Sequence, residues 1–188
     1  MNFLLLHLLS DCHIVNMVEL TNVVVQADLS CSIDLRHLAN NTRDIRYDPG
    51  RFTGAIWQHR LIGGNCLVFH NGKVNCNGNK SIRQAKKRLR QYARLLQRHG
   101  SQVTLKKIDL VTISAVHRLS STLELGEVCG MLGADYNPEI LNAAILKKKR
   151  INFNCFRSGA VVITGIRHMR DLDTVIYPTL LELELCTS

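Results

Sequence analysis

Hydrophobic and polar positions change their period several times along the first half of the chain, and each period predicts one element. Residues 22–28 are rich in valine and predict a β-strand. The spacing of apolar residues over 34–40 is helical and follows Ser32, a plausible N-cap. Residues 52–60 alternate between apolar and polar and lead to a Gly-Gly pair, which predicts a strand that ends in a hairpin turn.

Two short strands and a long helix are predicted next. Residues 66–70 and 73–77 read as strands joined by an Asn-Gly turn, a strong signal for a tight hairpin. Residues 81–99 predict a long helix with one apolar stripe, formed by Ile82, Ala85, Leu89, Tyr92, Ala93 and Leu96. This order of elements predicts the α+β class, in which helices cover one face of an antiparallel sheet and leave the other open.

The same succession occurs twice in the chain. The stretch YDPGRFTGAIWQHR from Tyr47 matches YNPEILNAAILKKK from Tyr136, and LVFHNGKVNCNG from Leu67 matches FNCFRSGAVVITG from Phe153. Self-similarity at this period indicates a duplicated half-domain. Three parts are therefore predicted: an N-terminal tail over 1–20, a first repeat over 21–100 and a second repeat over 101–188.

Strand alternation sends two sets of side chains to opposite faces of the predicted sheet. One set is expected to pack under the helices: Val68, Val74, Cys76, Phe153, Cys155, Val161 and Ile163. The other set then faces outward: Leu67, Phe69, Asn75, Asn77, Asn154, Phe156, Val162 and Thr164. An open face that carries Phe, Leu and Val is typical of a binding surface. The alternative is that Phe52 and Phe69 are ordinary core residues.

The paired pattern of Tyr-x-Pro, a downstream apolar or aromatic residue and a glycine-closed hairpin resembles the TATA-box-binding protein family. The resemblance runs from about Thr21 to the C-terminus and is nearest to a divergent TATA-binding-protein-like or related factor. It implies a saddle, in which two pseudo-symmetric repeats form one curved antiparallel sheet with two long helices on its convex face. It also implies docking of the sheet in the minor groove of double-stranded DNA, which apolar side chains kink by entering base steps.

The resemblance assigns a DNA-binding role to thirteen positions of this chain: Asn22, Val24, Phe52, Leu67, Phe69, Asn75, Asn77, Thr112, Leu141, Asn154, Phe156, Val162 and Thr164. Leu141 stands where the family has a fourth intercalating phenylalanine, and Leu110 stands where it has a second groove-contacting asparagine. Asn75 and Asn154 replace apolar positions of the groove floor. Because an asparagine oxygen can accept from the guanine amino group, we expect a relaxed preference for A·T pairs.

Basic residues at matching positions imply phosphate contacts by Lys73, Lys80, Lys147, Arg150 and Arg167. The run from Lys147 to Arg150 has two alternatives, a nuclear-localisation-like patch or a solvated hairpin. General transcription factors IIA and IIB or related proteins are the implied partners. The partner-binding positions are Arg83, Lys86, Lys87, Arg90, Arg94 and Glu139, and the resemblance implies a nuclear location.

Net charge changes this picture, because the surplus of +9 is local. Residues 81–99 contain no carboxylate and seven basic residues: Arg83, Lys86, Lys87, Arg88, Arg90, Arg94 and Arg98. In the resemblance this helix lies away from the groove, so the surplus points first to an acidic protein partner. The alternative function is therefore an interaction protein that has lost tight DNA binding and sequesters or recruits transcription partners.

The remaining chemistry excludes several classes of protein. No run of eighteen apolar residues is present, so no membrane partner is expected. The apolar run of residues 3–9 lacks a basic flank and a cleavage site, and we interpret it as a tail or packing segment rather than a signal peptide. The seven cysteines form no C-x-x-C pair and predict reduced thiols. The outward set holds no paired carboxylates or activated nucleophile, so no enzyme activity, small-molecule substrate, metal or cofactor is predicted.

Overall fold

The computed structural model describes residues 18–188, which divide into two compact units. The first is Leu20–Ile113, and the second consists of Ser114–Ser188 together with residues 18–19. The first unit has the strand order β2-β3-β4-β5-β1. Its strands are β1 Glu19–Asp28, β2 Ile45–Arg46, β3 Ala55–Trp57, β4 Asn65–Val68 and β5 Lys73–Asn79. Its helices are α1 Leu35–Asn41 and α2 Ile82–Arg98. β1 thus begins two residues before the predicted start of the first repeat, and the boundaries between the three predicted parts stay predictions.

The second unit repeats this order as β7-β8-β9-β10-β6. Its strands are β6 Ile108–Arg118, within which the division of the chain falls, β7 Asp135–Tyr136, β8 Ala144–Lys148, β9 Ile151–Cys155 and β10 Ala160–Ile166. Its helices are α3 Leu125–Leu132 and α4 Tyr177–Glu184. Seven strand pairs are antiparallel: β1–β5, β2–β3, β3–β4, β4–β5, β7–β8, β8–β9 and β9–β10. The predicted α+β class with two similar repeats is confirmed.

The core of the first unit lies between its sheet and α2. Every residue of the predicted apolar stripe of α2 is buried except Ile82, which is half-buried. Trp57 lies beneath this helix and packs edge-to-face against Tyr92, with ring centroids 5.5 Å apart, and against His99 at 6.0 Å. The Tyr92 hydroxyl donates to the Trp57 carbonyl at 3.3 Å and accepts from the His59 N–H at 3.2 Å. Burial raises the pKa of Tyr92 to about 12, which keeps this hydroxyl a donor.

Local hydrogen bonds change two details of the predicted first unit. Asp34, rather than Ser32, is the N-cap of α1, and its carboxylate accepts from the N–H groups of Arg36 and His37. The bond from His37 is the main reason that the pKa of Asp34 lies below its usual value. The strand predicted over 52–60 is shorter in the structure and comprises only Ala55–Trp57. It begins after Phe52 because the Phe52 N–H is bonded to the Asp48 carbonyl in a turn.

The hairpin between β4 and β5 is wider than the predicted two-residue turn. Gly72 has a φ of +78°, whereas Asn71 stays in the ordinary region, so this is not the type I′ turn that an Asn-Gly pair favours. The Gly72 N–H donates to the Phe69 carbonyl, and the Gly72 carbonyl accepts from Leu29 at 3.0 Å. The second unit repeats the arrangement, since Gly159 donates to Phe156 and accepts from Leu119 at 2.9 Å.

The long helix predicted at the end of the second repeat begins with a π-helical turn, Leu172–Ile176, before it becomes α4. The Tyr177 N–H donates to the carbonyl of Leu172, five residues earlier. Pro178 follows and has no N–H, so it cannot close a regular α-helical bond to Thr174. A wider turn accommodates this missing donor.

The six described cysteines are free thiols, as predicted, and Cys12 lies outside the described residues. Cys66, Cys76, Cys155 and Cys186 are buried. Burial raises the pKa of Cys66 well above its usual value and that of Cys155 to about 12, so both stay protonated and unreactive at neutral pH. Among residues 18–188 no helix is long and apolar enough to cross a membrane. Residues 3–9, interpreted above as a tail or packing segment, also lie outside the described part.

An ion pair closes the turn that leads into the last helical segment. The Asp171 carboxylate accepts from the Arg167 N–H at 3.1 Å and the His168 N–H at 3.0 Å, and it pairs with the Arg150 guanidinium at 3.0 Å. Burial by itself raises the pKa of Asp171, but these three hydrogen bonds outweigh it and hold the pKa below its usual value.

The lowered pKa predicts an acid-sensitive contribution to stability. It is fully present above the unfolded-state pKa of about 3.9 and is lost as the pH falls through the lower folded-state value. The Asp171→Asn variant is therefore expected to lose stability at pH 7 and to show a shallower fall in unfolding free energy below about pH 4. Urea unfolding at several pH values measures both effects. The control is the Asp173→Asn variant, which changes an exposed carboxylate of the same segment. Equal acid slopes in wild type and Asp171→Asn would contradict the prediction.

Candidate nucleic-acid interface

The outward set of the first unit forms a row across four neighbouring strands. Gln26 of β1 lies opposite Asn75 of β5, Asn75 opposite Leu67 of β4, and Leu67 opposite Ile56 of β3. These side chains are half-exposed, whereas their neighbours along each strand are buried. Val24 is half-exposed at a β-bulge in β1, where its flanking valines are fully buried. The structure thus brings the predicted floor residues of this repeat to one face.

The amide of Asn22 has a fixed orientation on β1. Its Oδ1 accepts from the backbone N–H of Gly78 at 2.8 Å, a bond that connects β1 to the end of β5. Because the oxygen is engaged, the NH₂ group points away from this bond and can donate to an outside acceptor. Asn77 is half-exposed on β5, at an alternate position from the buried Cys76. Both predicted amides are therefore available on the outer side of the unit.

Phe52 and Phe69 form an aromatic pair. Their ring centroids lie 5.7 Å apart with an interplanar angle of 68°, an edge-to-face arrangement. Phe52 is 36% exposed and stands in the turn after Asp48, whereas Phe69 follows the last residue of β4 and is half-exposed. Neither ring belongs to the buried core of the unit. The interpretation of these two phenylalanines as ordinary core residues is therefore not supported.

The second unit carries an equivalent row with a different composition. Val162 of β10 lies opposite Asn154 of β9, and Asn154 lies opposite Ile145 of β8. Thr164 lies opposite Asn152 in the same pair of strands. Thr112 is half-exposed and lies in the part of β6 that belongs to the first unit. The predicted wedges of this unit, Leu141 and Phe156, are both half-buried.

Sequence reasoning missed three residues of these rows, Gln26, Ile56 and Ile145. The signal for the two isoleucines was present, because each alternates with fully or almost fully buried neighbours in the short strands β3 and β8. Both strands begin with Ala and continue with Ile, at matching positions of the two repeats. Gln26 follows from the same alternation in β1.

The predicted phosphate-contacting cations differ in their surroundings. Lys73, Lys80, Lys147 and Arg167 are exposed. Arg150 is exposed too, but its guanidinium is paired with Asp171, so a contact to phosphate would compete with that ion pair. Its role as a phosphate ligand stays a prediction.

The basic helix α2 presents most of its cations on the side opposite its buried stripe. Arg83, Lys87, Arg90 and Arg94 are exposed and Lys86 is half-buried, and none of the described carboxylates pairs with them. Arg88 is different, because it donates to the Gly78 carbonyl and to Asn79 Oδ1 and so fastens the helix to the end of β5. Glu139 is exposed in the turn after β7.

Known proteins resemble the chain in sequence and in structure. The sequence profile described as "Transcription factor TFIID (or TATA-binding protein, TBP)" matches twice, over residues 17–99 and 107–184. The chain is 33% identical to TATA box-binding protein-like 2 of Rattus norvegicus over 82% of its own length but only 46% of the rat protein. It is 32% identical to TATA-box-binding protein 1 of Triticum aestivum over 87% of its length and 73% of that protein.

A third relative and a solved structure agree with these matches. The TBP-related factor of Drosophila melanogaster is 31% identical over 82% of this chain and 71% of the fly protein. The structure of Methanococcus jannaschii TBP superposes with a TM-score of 0.79 at 26% identity and covers 90% of this chain and 99% of the archaeal one. The predicted family resemblance is confirmed, and the chain belongs to the TATA-binding protein family.

Proposed function

We propose that this TATA-binding-protein-like transcription factor binds promoter DNA through the outer faces of its sheets and kinks it with its phenylalanines. The observation that carries the proposal is the Phe52–Phe69 pair, two rings in edge-to-face contact outside the core at the border of a row of amide and aliphatic side chains. Apolar wedges of this kind unstack base steps in minor-groove proteins, and the resulting bend lets the DNA contact more protein surface. The factor acts by binding and uses no catalysis or cofactor.

The uncharged rows of the outer faces and the exposed lysines on their strands suit the binding of a DNA duplex. The rows on the outer faces contain amides and aliphatic side chains, which fit the sugar edges and base edges of a minor groove. Exposed Lys73 and Lys147 stand on the strands of these faces, and such cations neutralise phosphates and release counterions. Binding is therefore expected to weaken steadily as salt is raised.

Asn75 and Asn154 support a relaxed preference for TATA sequences. The Asn75 Oδ1 atom is enclosed and has no hydrogen-bond partner in the described part of the chain. An acceptor without a partner costs free energy, and rotation of the half-exposed Asn75 amide would bring it to the outer face, where a donor on the DNA would satisfy it. In the minor groove only a G·C pair offers such a donor, the guanine amino group.

Gel-shift titrations and bending by fluorescence resonance energy transfer test the proposal. TATA, G·C-substituted and random duplexes are compared at several salt concentrations. We expect bending of the TATA duplex and affinities for single G·C substitutions within about tenfold of it. Absence of binding at any salt concentration would overturn the function, and a strong preference for TATA would overturn the relaxed specificity.

A double variant tests the role of the two floor asparagines. Asn75→Val/Asn154→Leu gives each position the residue found at the matching place in the other repeat, Val162 and Leu67. The variant is expected to favour TATA over G·C-substituted duplexes about tenfold more than wild type does, because it loses the acceptor for guanine. Exposed Asn40→Val in α1 is the control, and an unchanged preference in the double variant would contradict the prediction.

A second function, recruitment of transcription partners without tight DNA binding, is favoured by the cations of α2. Arg83, Lys87, Arg90 and Arg94 are exposed and pair with none of the described carboxylates, which suits an acidic protein surface. General transcription factors IIA and IIB or related proteins are the proposed partners, in the nucleus, with exposed Glu139 on the factor IIB side. Partner binding by a chain that fails to bind any duplex would favour this function.

A further inference from the structure

We infer that Gly54 is a positioning residue for the Phe52–Phe69 pair, and that its replacement by alanine in the second unit makes the two units deform DNA unequally. The inference rests on the proposed function and goes beyond it. The first unit carries the stronger wedge for a base step, because the backbone beneath its two rings has no side chain at Gly54.

Gly54 lies directly against both phenylalanine rings. A Cβ atom added at this residue would stand 2.8 Å from Cε1 of Phe52 and 2.9 Å from Cε1 of Phe69. Distances below 3.0 Å between carbon atoms do not occur in unstrained packing, so at least one ring would have to move. Gly54 is buried and has no positive φ, which means that the absence of a side chain, rather than backbone freedom, is what this position requires.

The second unit differs at the matching positions in a complementary way. The repeat places Leu141 where the first unit has Phe52, and Ala143 where it has Gly54, while Phe156 matches Phe69. Ala143 is 1% exposed, so its Cβ is enclosed at the position where the first unit has no side chain. The larger wedge, Phe52, is therefore combined with a glycine, and the smaller wedge, Leu141, with an alanine. This combination is expected in close packing, because a larger ring leaves less room for a side chain beneath it.

Unequal wedges have a direct consequence for the complex. Two rings locked edge-to-face enter a base step as a preorganised unit, whereas a leucine beside a phenylalanine presents less stacking surface. The base step that the first unit enters is thus unstacked more than the base step that the second unit enters. On a duplex of asymmetric sequence this difference favours one orientation of the protein.

Bending and base unstacking in four proteins test the inference. Bend angle is measured by resonance energy transfer, and unstacking by 2-aminopurine placed at the kinked steps, all at saturating protein. Gly54→Ala is expected to lower the 2-aminopurine signal about twofold. Leu141→Phe alone is expected to gain nothing, because Ala143 obstructs the ring. Leu141→Phe/Ala143→Gly is expected to raise both bend angle and signal above wild type.

The controls separate failure of the inference from failure of the function. Gly126→Ala adds a Cβ that meets no atom within 4 Å beyond its chain neighbours and the backbone of its own helix, and it is expected to leave bending and unstacking unchanged. Circular dichroism checks that the Gly54→Ala variant is folded. The gain in bend angle and 2-aminopurine signal expected of Leu141→Phe/Ala143→Gly is an independent test, because it does not depend on the folding of Gly54→Ala. If wild type leaves saturated duplexes straight, the proposed function is wrong. If wild type bends DNA but Leu141→Phe gains as much as the double variant, or if Gly54→Ala matches wild type, only the inference is overturned.

Discussion

A Phe69→Ala/Phe156→Ala variant is expected to leave bound DNA nearly straight. Each residue follows the last position of a hairpin strand and donates its N–H across the hairpin, at 3.0 Å to Lys73 and at 2.9 Å to Ala160. These bonds fix the backbone from which the two half-exposed rings extend. Without them no large apolar group enters the step from these hairpins, and the cost of unstacking, a few kcal/mol per step, is no longer offset.

Resonance energy transfer across a labelled duplex measures this loss. The signal of the saturated complex is expected to return to about that of free DNA, with affinity reduced about a hundredfold. Because both side chains are half-exposed, the double variant is expected to fold. Tyr177→Ala, which removes a half-buried aromatic residue from α4, serves as the matched control. Full bending by the double variant would assign the kink to other residues.

The second large effect concerns the hairpin glycines, because Gly72→Ala and Gly159→Ala are expected to destabilise their units by about 3 kcal/mol each. Both glycines have positive φ, +78° and +77°. In addition, a Cβ at residue 72 would overlap the carbonyl oxygen of Cys31, and one at residue 159 would overlap that of Ser121. The backbone bonds from Leu29 and Leu119 hold these loops against the glycines, so the overlap cannot be relieved locally.

Two other glycines isolate the conformational part of this cost. Gly100 and Gly133 have φ of +88° and +70°, yet a Cβ at either would meet nothing within 4 Å. Gly100→Ala and Gly133→Ala are therefore expected to cost only about 1 kcal/mol, the penalty of the left-handed conformation. Urea unfolding followed by circular dichroism gives the free energies. Equal losses in all four variants would show that steric overlap contributes nothing.

Alternation in the strands predicted the outward sets of both repeats correctly, because buried residues alternate with more exposed ones along β4 and β9, and along β5 and β10 as far as Asn77 and Thr164. The helical stripe of α2 was predictable for the same reason, since its period matches a buried face. Positions fixed by local competition were less predictable. Ser32 and Asp34 are both good caps, and only the hydrogen bonds to Arg36 and His37 decide between them.

Long-range contacts could not be predicted from local pattern. Arg150 appears as one of four consecutive basic residues, and nothing in that run indicates a partner 21 positions later at Asp171. The role of Gly54 is similarly hidden, because its contact with Phe69 depends on how β3 and β4 pair. The π-helical turn before α4 follows from Pro178, a residue that the helical pattern alone tolerates.

The packing of Trp57 gives the first unit its own spectroscopic signature. It is the only tryptophan of the chain, and it lies in the first unit against Tyr92 and His99. Tryptophan fluorescence, excited beyond the absorption band of tyrosine, therefore reports the melting of that unit alone, whereas circular dichroism reports both. A fluorescence transition that coincides with the circular dichroism transition would mean that the two halves unfold together. Separate midpoints would show that the duplicated halves of this factor have acquired independent stabilities.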